Sequence, residues 1–103
     1  MKSMQIGDVM SAFNHVEVKI PITGAPVMAL GGSEGIVAVE PVSVSYWAWL
    51  YEGRFFETVT VFGPDHQNEA LYAPFPEWLP KPPAWFTGAV EELRAREEKE
   101  LGS

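Results

Sequence analysis

Asp65, His66 and Glu69 form the one local grouping in the sequence whose side chains could ligate a metal or pass a proton. Metal binding needs several convergent ligands at workable spacing. Neighbouring histidine and carboxylates also occur in many polar loops, so the reading here is a solvated turn, with no metal and no cofactor expected. Nucleophilic catalysis needs a nucleophile held beside a base. The chain has no cysteine, its histidines are His15 and His66 alone, and no motif surrounds Ser11 or Ser33. Glu57 is the oddest carboxylate, because the strand register derived below sets it on an apolar face opposite Ala48. Such a group lies at a sheet rim, marks a slipped register, or serves as a buried acid whose environment shifts its pKa.

Two other motifs invite a functional reading and lose it on inspection. Gly31-Gly32-Ser33-Glu34-Gly35 is glycine-rich, but a phosphate cradle feeds backbone N–H groups into a helix N-terminus. Here the loop leads into strand-like Ile36-Val37-Ala38-Val39, so it reads as a hairpin connection. Pro80-Lys81-Pro82-Pro83 has the spacing that docks in aromatic grooves, yet Trp78 and Trp85 flank it and suggest a segment folded onto its own domain.

The elements that position these residues belong to one domain over residues 1–103. A chain of 103 residues buries roughly 60% or more of its unfolded surface, enough for one core. Apolar residues make up 47% and charged residues 20%, ordinary globular usage. The formal charge of −7 repels nucleic acid and anionic membrane in the absence of a basic patch, and none is visible. The same charge suits a basic protein surface. Lack of cysteine excludes disulfides and thiolate metal sites and makes a reducing cytoplasm the natural setting. Met1 to Phe13 lacks the apolar stretch of a signal peptide, no segment is apolar enough to span a bilayer, and no membrane association is expected.

Ile6, Val9, Met10 and Phe13 recur at helical spacing, which predicts a short N-terminal helix. Val16, Val18 and Ile20 alternate as in a strand stopped by Pro21. Val27 to Leu30 and Ile36 to Val39 read as short strands. The strongest pattern runs from Val42 to Phe62, where two β-rich runs flank Glu52-Gly53, a tight-turn dipeptide. That register opposes Leu50 to Phe55, Trp49 to Phe56 and Ala48 to Glu57. Proline-dense 74–83 predicts an extended connector packed along the domain. Pro83 then opens a helix over 84–101 with Phe86, Ala89, Val90 and Leu93 on one stripe. The expected fold class is α+β: a small antiparallel sheet, a meander with a central hairpin, packed with the short N-terminal helix and the longer C-terminal one.

Alternation divides the hairpin into two faces. Val42, Val44, Tyr46, Ala48, Leu50, Phe55, Val59 and Val61 make an aliphatic face suited to the core. Trp47, Trp49, Tyr51 and Phe56 share the other face with Phe62 and several hydroxyl residues. A solvated second face would be charged and polar, so this one calls for cover: the 74–85 segment and C-terminal helix, a second copy, or a foreign partner or ligand. Aromatic side chains are enriched in interfaces. Trp47, Trp49, Tyr51 and Phe56 are therefore the candidate partner-binding residues, with Trp78 and Trp85 expected near the rim. Glu91, Glu97 and Glu98, where the helix stripe thins, form a second, acidic surface expected to face solvent.

The passage Pro74-Phe75-Pro76-Glu77-Trp78-Leu79-Pro80-Lys81-Pro82-Pro83-Ala84-Trp85-Phe86, running into an Ala/Glu/Arg helix, resembles small uncharacterised proteins of actinobacterial phages. The resemblance implies a phage origin and carries over no activity or site. Together these features lead to a non-enzymatic protein-interaction domain, an inhibitor or modulator of a host protein. The alternatives are a small-ligand domain with an aromatic pocket completed by homodimerisation, and a structural or assembly subunit.

Overall fold

The computed structural model of the protein describes residues 14–101, with side chains as far as Glu97. Six strands follow one another along the chain: β1 (His15–Pro21), β2 (Met28–Gly32), β3 (Gly35–Val39), β4 (Ser43–Tyr51), β5 (Arg54–Phe62) and β6 (Asn68–Leu71). A single helix, α1 (Ala84–Leu101), closes the described chain. The strands form one antiparallel sheet in the order β1-β4-β5-β6-β2-β3.

This arrangement corrects the expected fold in two respects. The class is α+β, but the sheet is not a simple meander. Only β4-β5-β6 runs in sequence; β1 lies beside β4, and the β2–β3 hairpin joins the far side of β6. After β1 the chain turns at Gly24, φ +74, before β2 begins. Ile22 N–H donates to the Val42 carbonyl rather than to a strand following it directly in sequence. The two-helix packing is also not seen, since α1 is the one helix among the described residues. The N-terminal helix expected around Ile6, Val9, Met10 and Phe13 lies outside the described residues.

The β4–β5 hairpin forms where the alternation requires it. Glu52 and Gly53 have φ +52 and +78, the paired positive angles of a type I′ turn, whose twist matches that of the strands. Leu50 N–H donates to the Asn14 carbonyl, and Phe55 N–H donates to the Glu97 carboxylate. Both amides of this opposed pair thus point away from each other, as at a non-hydrogen-bonded position of an antiparallel ladder. On the other side of β5, Val59, Thr60, Val61 and Phe62 oppose Leu71, Ala70, Glu69 and Asn68 of β6.

The described residues divide into two compact units. One holds the start of β1, Trp47–Glu57 and the chain from Pro82 onward; the other holds Lys19–Tyr46 and Thr58–Lys81. In the first, Val16, Ala48, Leu50, Phe86, Ala89 and Leu93 are buried. Phe86, Ala89 and Leu93 are spaced by three and four residues, so one stripe of α1 carries its buried side chains. In the second unit Leu30, Pro41, Val44 and Val61 are fully buried. Tyr46 is also buried, and its hydroxyl donates to the Pro80 carbonyl. That bond ties the proline-rich connector to the sheet, as its Pro76, Trp78, Leu79 and Pro80 side chains are half-buried.

Two side chains depart from their expected environments. Val42 is exposed although alternation assigns it to the core, even as its N–H donates to the Phe62 carbonyl and its carbonyl accepts from Ile22. Ser43 and Ser45, assigned to the aromatic face, are buried.

Candidate interaction surface

Trp47, Trp49 and Phe56 come together on the non-aliphatic face of the β4–β5 hairpin. The rings of Trp47 and Trp49 lie 4.9 Å apart at 41°, and those of Trp49 and Phe56 stack at 5.5 Å and 18°. The first pair is two residues apart on one strand; the second is the directly opposed cross-strand pair of the type I′ register. Offset aromatic pairs contribute about 0.5–1.5 kcal/mol beyond their buried area. The cluster therefore holds its own shape, with Trp49 half-buried at its centre.

The cluster stays open. Trp47 is 42% exposed, Phe56 40% and Tyr51 62%. With about 150–250 Å² per large aromatic side chain, these fractions leave on the order of 300 Å² of aromatic surface in water, the scale at which a patch marks an interaction site. The helix lies on the opposite face. The Arg94 guanidinium sits 4.5 Å from the Phe55 ring and forms a 3.0 Å ion pair with Glu57. Both partners point to the aliphatic side of β5. Glu57 is thus neither buried nor mispaired: it lies exposed, in the inferred register, facing Arg94.

The remaining candidate residues have surroundings of their own. Trp85, 43% exposed, meets Phe86 edge-on at 6.0 Å on α1 and makes no ring contact with the Trp49 cluster. Trp78 is half-buried in the proline-rich segment of the other unit. Glu91 faces solvent as expected. Glu97 does not: it is half-buried and accepts the Phe55 amide. Glu98 lies in the last part of α1, beyond the described side chains. The inward turn of Glu97 had a signal in the sequence, since it stands four residues beyond Leu93 and continues the buried stripe. In the second unit Phe62 carries the Lys19 ammonium over its ring at 4.4 Å, a cation–π contact.

The Asp65–Glu69 loop is organised by its own hydrogen bonds. Asp65 N–H donates to Gln67 Oε1 at 2.9 Å, Gly63 N–H donates to the Gln67 carbonyl, and His66 takes φ +70. A shallow open recess is lined by Gly31, Gly32, Ser33, Asp65, His66 and neighbouring polar side chains, none of them Trp, Tyr or Phe. Among the described residues no three His, Asp or Glu side chains are grouped to hold a metal ion. No helix among them is long and apolar enough to cross a membrane. Comparison of the chain with protein-family models, with curated proteins and with solved structures finds no match.

Proposed function

We propose that this chain is a non-enzymatic protein-interaction domain whose working surface is the Trp47–Trp49–Tyr51–Phe56 face and whose partner presents a basic surface. The observation that carries the reading is the exposure of Trp47, Tyr51 and Phe56 on a face that α1 leaves uncovered. Aromatic residues in such positions supply large contact area at modest entropic cost and dominate interface energies. A second copy is the weaker occupant. Both copies would carry −7 and repel one another, and the patch alone is smaller than the roughly 800 Å² per partner of a standard interface whatever the occupant. The aromatic cluster then acts as the anchor within a wider contact, and the net charge of −7 favours approach of a basic partner. Should the chain be of phage origin, the partner is a host protein that it inhibits or modulates.

The test uses the parent protein and a Trp47→Ser/Tyr51→Ser/Phe56→Ser variant as baits in extracts of the source cells, with urea unfolding of both. The expected result is a folded variant that loses a protein retained by the parent. Identical captured proteins would overturn the reading. So would a variant destabilised as strongly as a core truncation, about 3–5 kcal/mol, because the face would then be core.

A further inference from the structure

We propose that β3 is a docking edge for an extended strand of a partner protein, one whose alternating apolar residues are bracketed by basic side chains. This surface lies in the second unit and does not depend on the role assigned to the aromatic face. Among the described residues β3 is the last strand of the sheet and pairs only with β2, from Gly32↔Gly35 to Met28↔Val39. Alternate residues of such a strand turn their N–H and C=O groups outward, unpaired. Proteins ordinarily guard such edges with lysine, proline or an inward-pointing charge. Gly35-Ile36-Val37-Ala38-Val39 has none of these, and four of its five residues are exposed, Ile36 to 77%. The hairpin's link to the rest of the sheet is slight, since β2 meets β6 at the single pair Gly31↔Asn68. Leu30 of β2 is fully buried, so packing holds the hairpin in its unit and leaves β3 as the open side.

Charge selects the occupant. Glu34 and Glu40 flank β3, both exposed, and neither pairs with a cation among the described residues. Glu34 stands in the turn before β3 and Glu40 just after it, so a second copy pairing antiparallel about Val37 would bring the Glu34 end of each strand against the Glu40 end of its mate. Sliding that pairing by two residues separates the glutamates but leaves only three of the five β3 residues opposed. Like charges directly opposed are destabilising, whereas opposite charges at the same positions are stabilising. A strand with Lys or Arg six positions apart, enclosing apolar residues at alternate positions, converts both repulsions into attractions. Strand addition of this kind draws affinity from main-chain hydrogen bonds and specificity from the side chains.

The probe is the synthetic peptide acetyl-Lys-Val-Thr-Val-Thr-Val-Lys-amide, with a version carrying Glu at both ends, titrated into the full chain and read by amide chemical shifts. Binding of the lysine peptide should shift Gly35–Val39, and the glutamate peptide should bind several-fold more weakly. In Glu34→Lys/Glu40→Lys, two exposed positions, that preference should reverse. Equal affinity for the two peptides, shifts centred away from β3, or no shift at millimolar peptide would each overturn the proposal. So would concentration-dependent self-association of the parent at neutral pH that Val37→Lys abolishes, because a second copy would then be the occupant.

Discussion

The backbone N–H of Phe55 donates to the carboxylate of Glu97, 42 positions further along the chain. Phe55 stands at the start of β5, ahead of the Val59–Phe62 stretch that pairs with β6. Its amide would otherwise be an unpaired group on an open strand edge, and such edges invite pairing with another chain. The Glu97 side chain satisfies that donor, while Arg94, one turn earlier, lies over the Phe55 ring. The helix is thus fastened to the hairpin by polar contacts beyond its buried stripe.

Glu97→Ala should lower stability by about 1 kcal/mol, the usual net value of a hydrogen bond to a partly buried acceptor. Glu97→Gln keeps an acceptor and should cost less. Glu57→Gln, which removes an exposed ion pair with Arg94, should change stability by under ~0.5 kcal/mol. Urea unfolding of the three variants measures the ranking. Equal losses for Glu97→Ala and Glu57→Gln would contradict the role assigned to Glu97.

Glu52 occupies a left-handed conformation, φ +52, at the first position of the type I′ turn. Asparagine is preferred there because it tolerates positive φ, and Asn-Gly is the strongest dipeptide for this turn. Glu52→Asn should stabilise the protein by roughly 0.5–1 kcal/mol, seen as a higher thermal midpoint. An unchanged or lower midpoint would mean that the glutamate makes a compensating contact.

Burial pushes the Tyr46 phenol above its ordinary pKa of 10.0. A raised folded-state value means that the folded chain keeps the proton after the unfolded chain has released it. The contribution of Tyr46 is therefore complete below about pH 10 and declines as pH rises through the folded-state value. Tyr46→Phe removes the hydrogen bond to the Pro80 carbonyl and should cost about 1 kcal/mol at pH 7. It should also show a shallower loss of stability than the parent above pH 10. Parallel pH profiles for the two proteins would contradict this.

The hairpin and its two faces were legible in the sequence because strand alternation and the Glu52-Gly53 turn agree, and both are local features. The long-range partners of the strands were not. Period-two patterning says which way Val37 or Leu30 points, but nothing about β2 lying beside β6 rather than β1. Helical spacing identified Phe86, Ala89 and Leu93, and the same spacing extends to Glu97; its charge masked its place on the buried stripe. Trp78 and Trp85 flank the proline-rich run in sequence, and the alternation that groups Trp47 with Trp49 is silent on what either of them packs against. The exposed edge at β3 was hidden for a related reason, since an apolar run in a sequence reads as core until its neighbours are known.

Hydroxyl-radical footprinting of the free protein, read residue by residue by mass spectrometry, tests the central claim most directly. Trp47, Tyr51 and Phe56 should oxidise readily, while Phe86, 5% exposed, should be protected. Protection of Trp47, Tyr51 and Phe56 to the level of Phe86 would show that the chain covers this face itself, and the interaction surface proposed for it would be withdrawn.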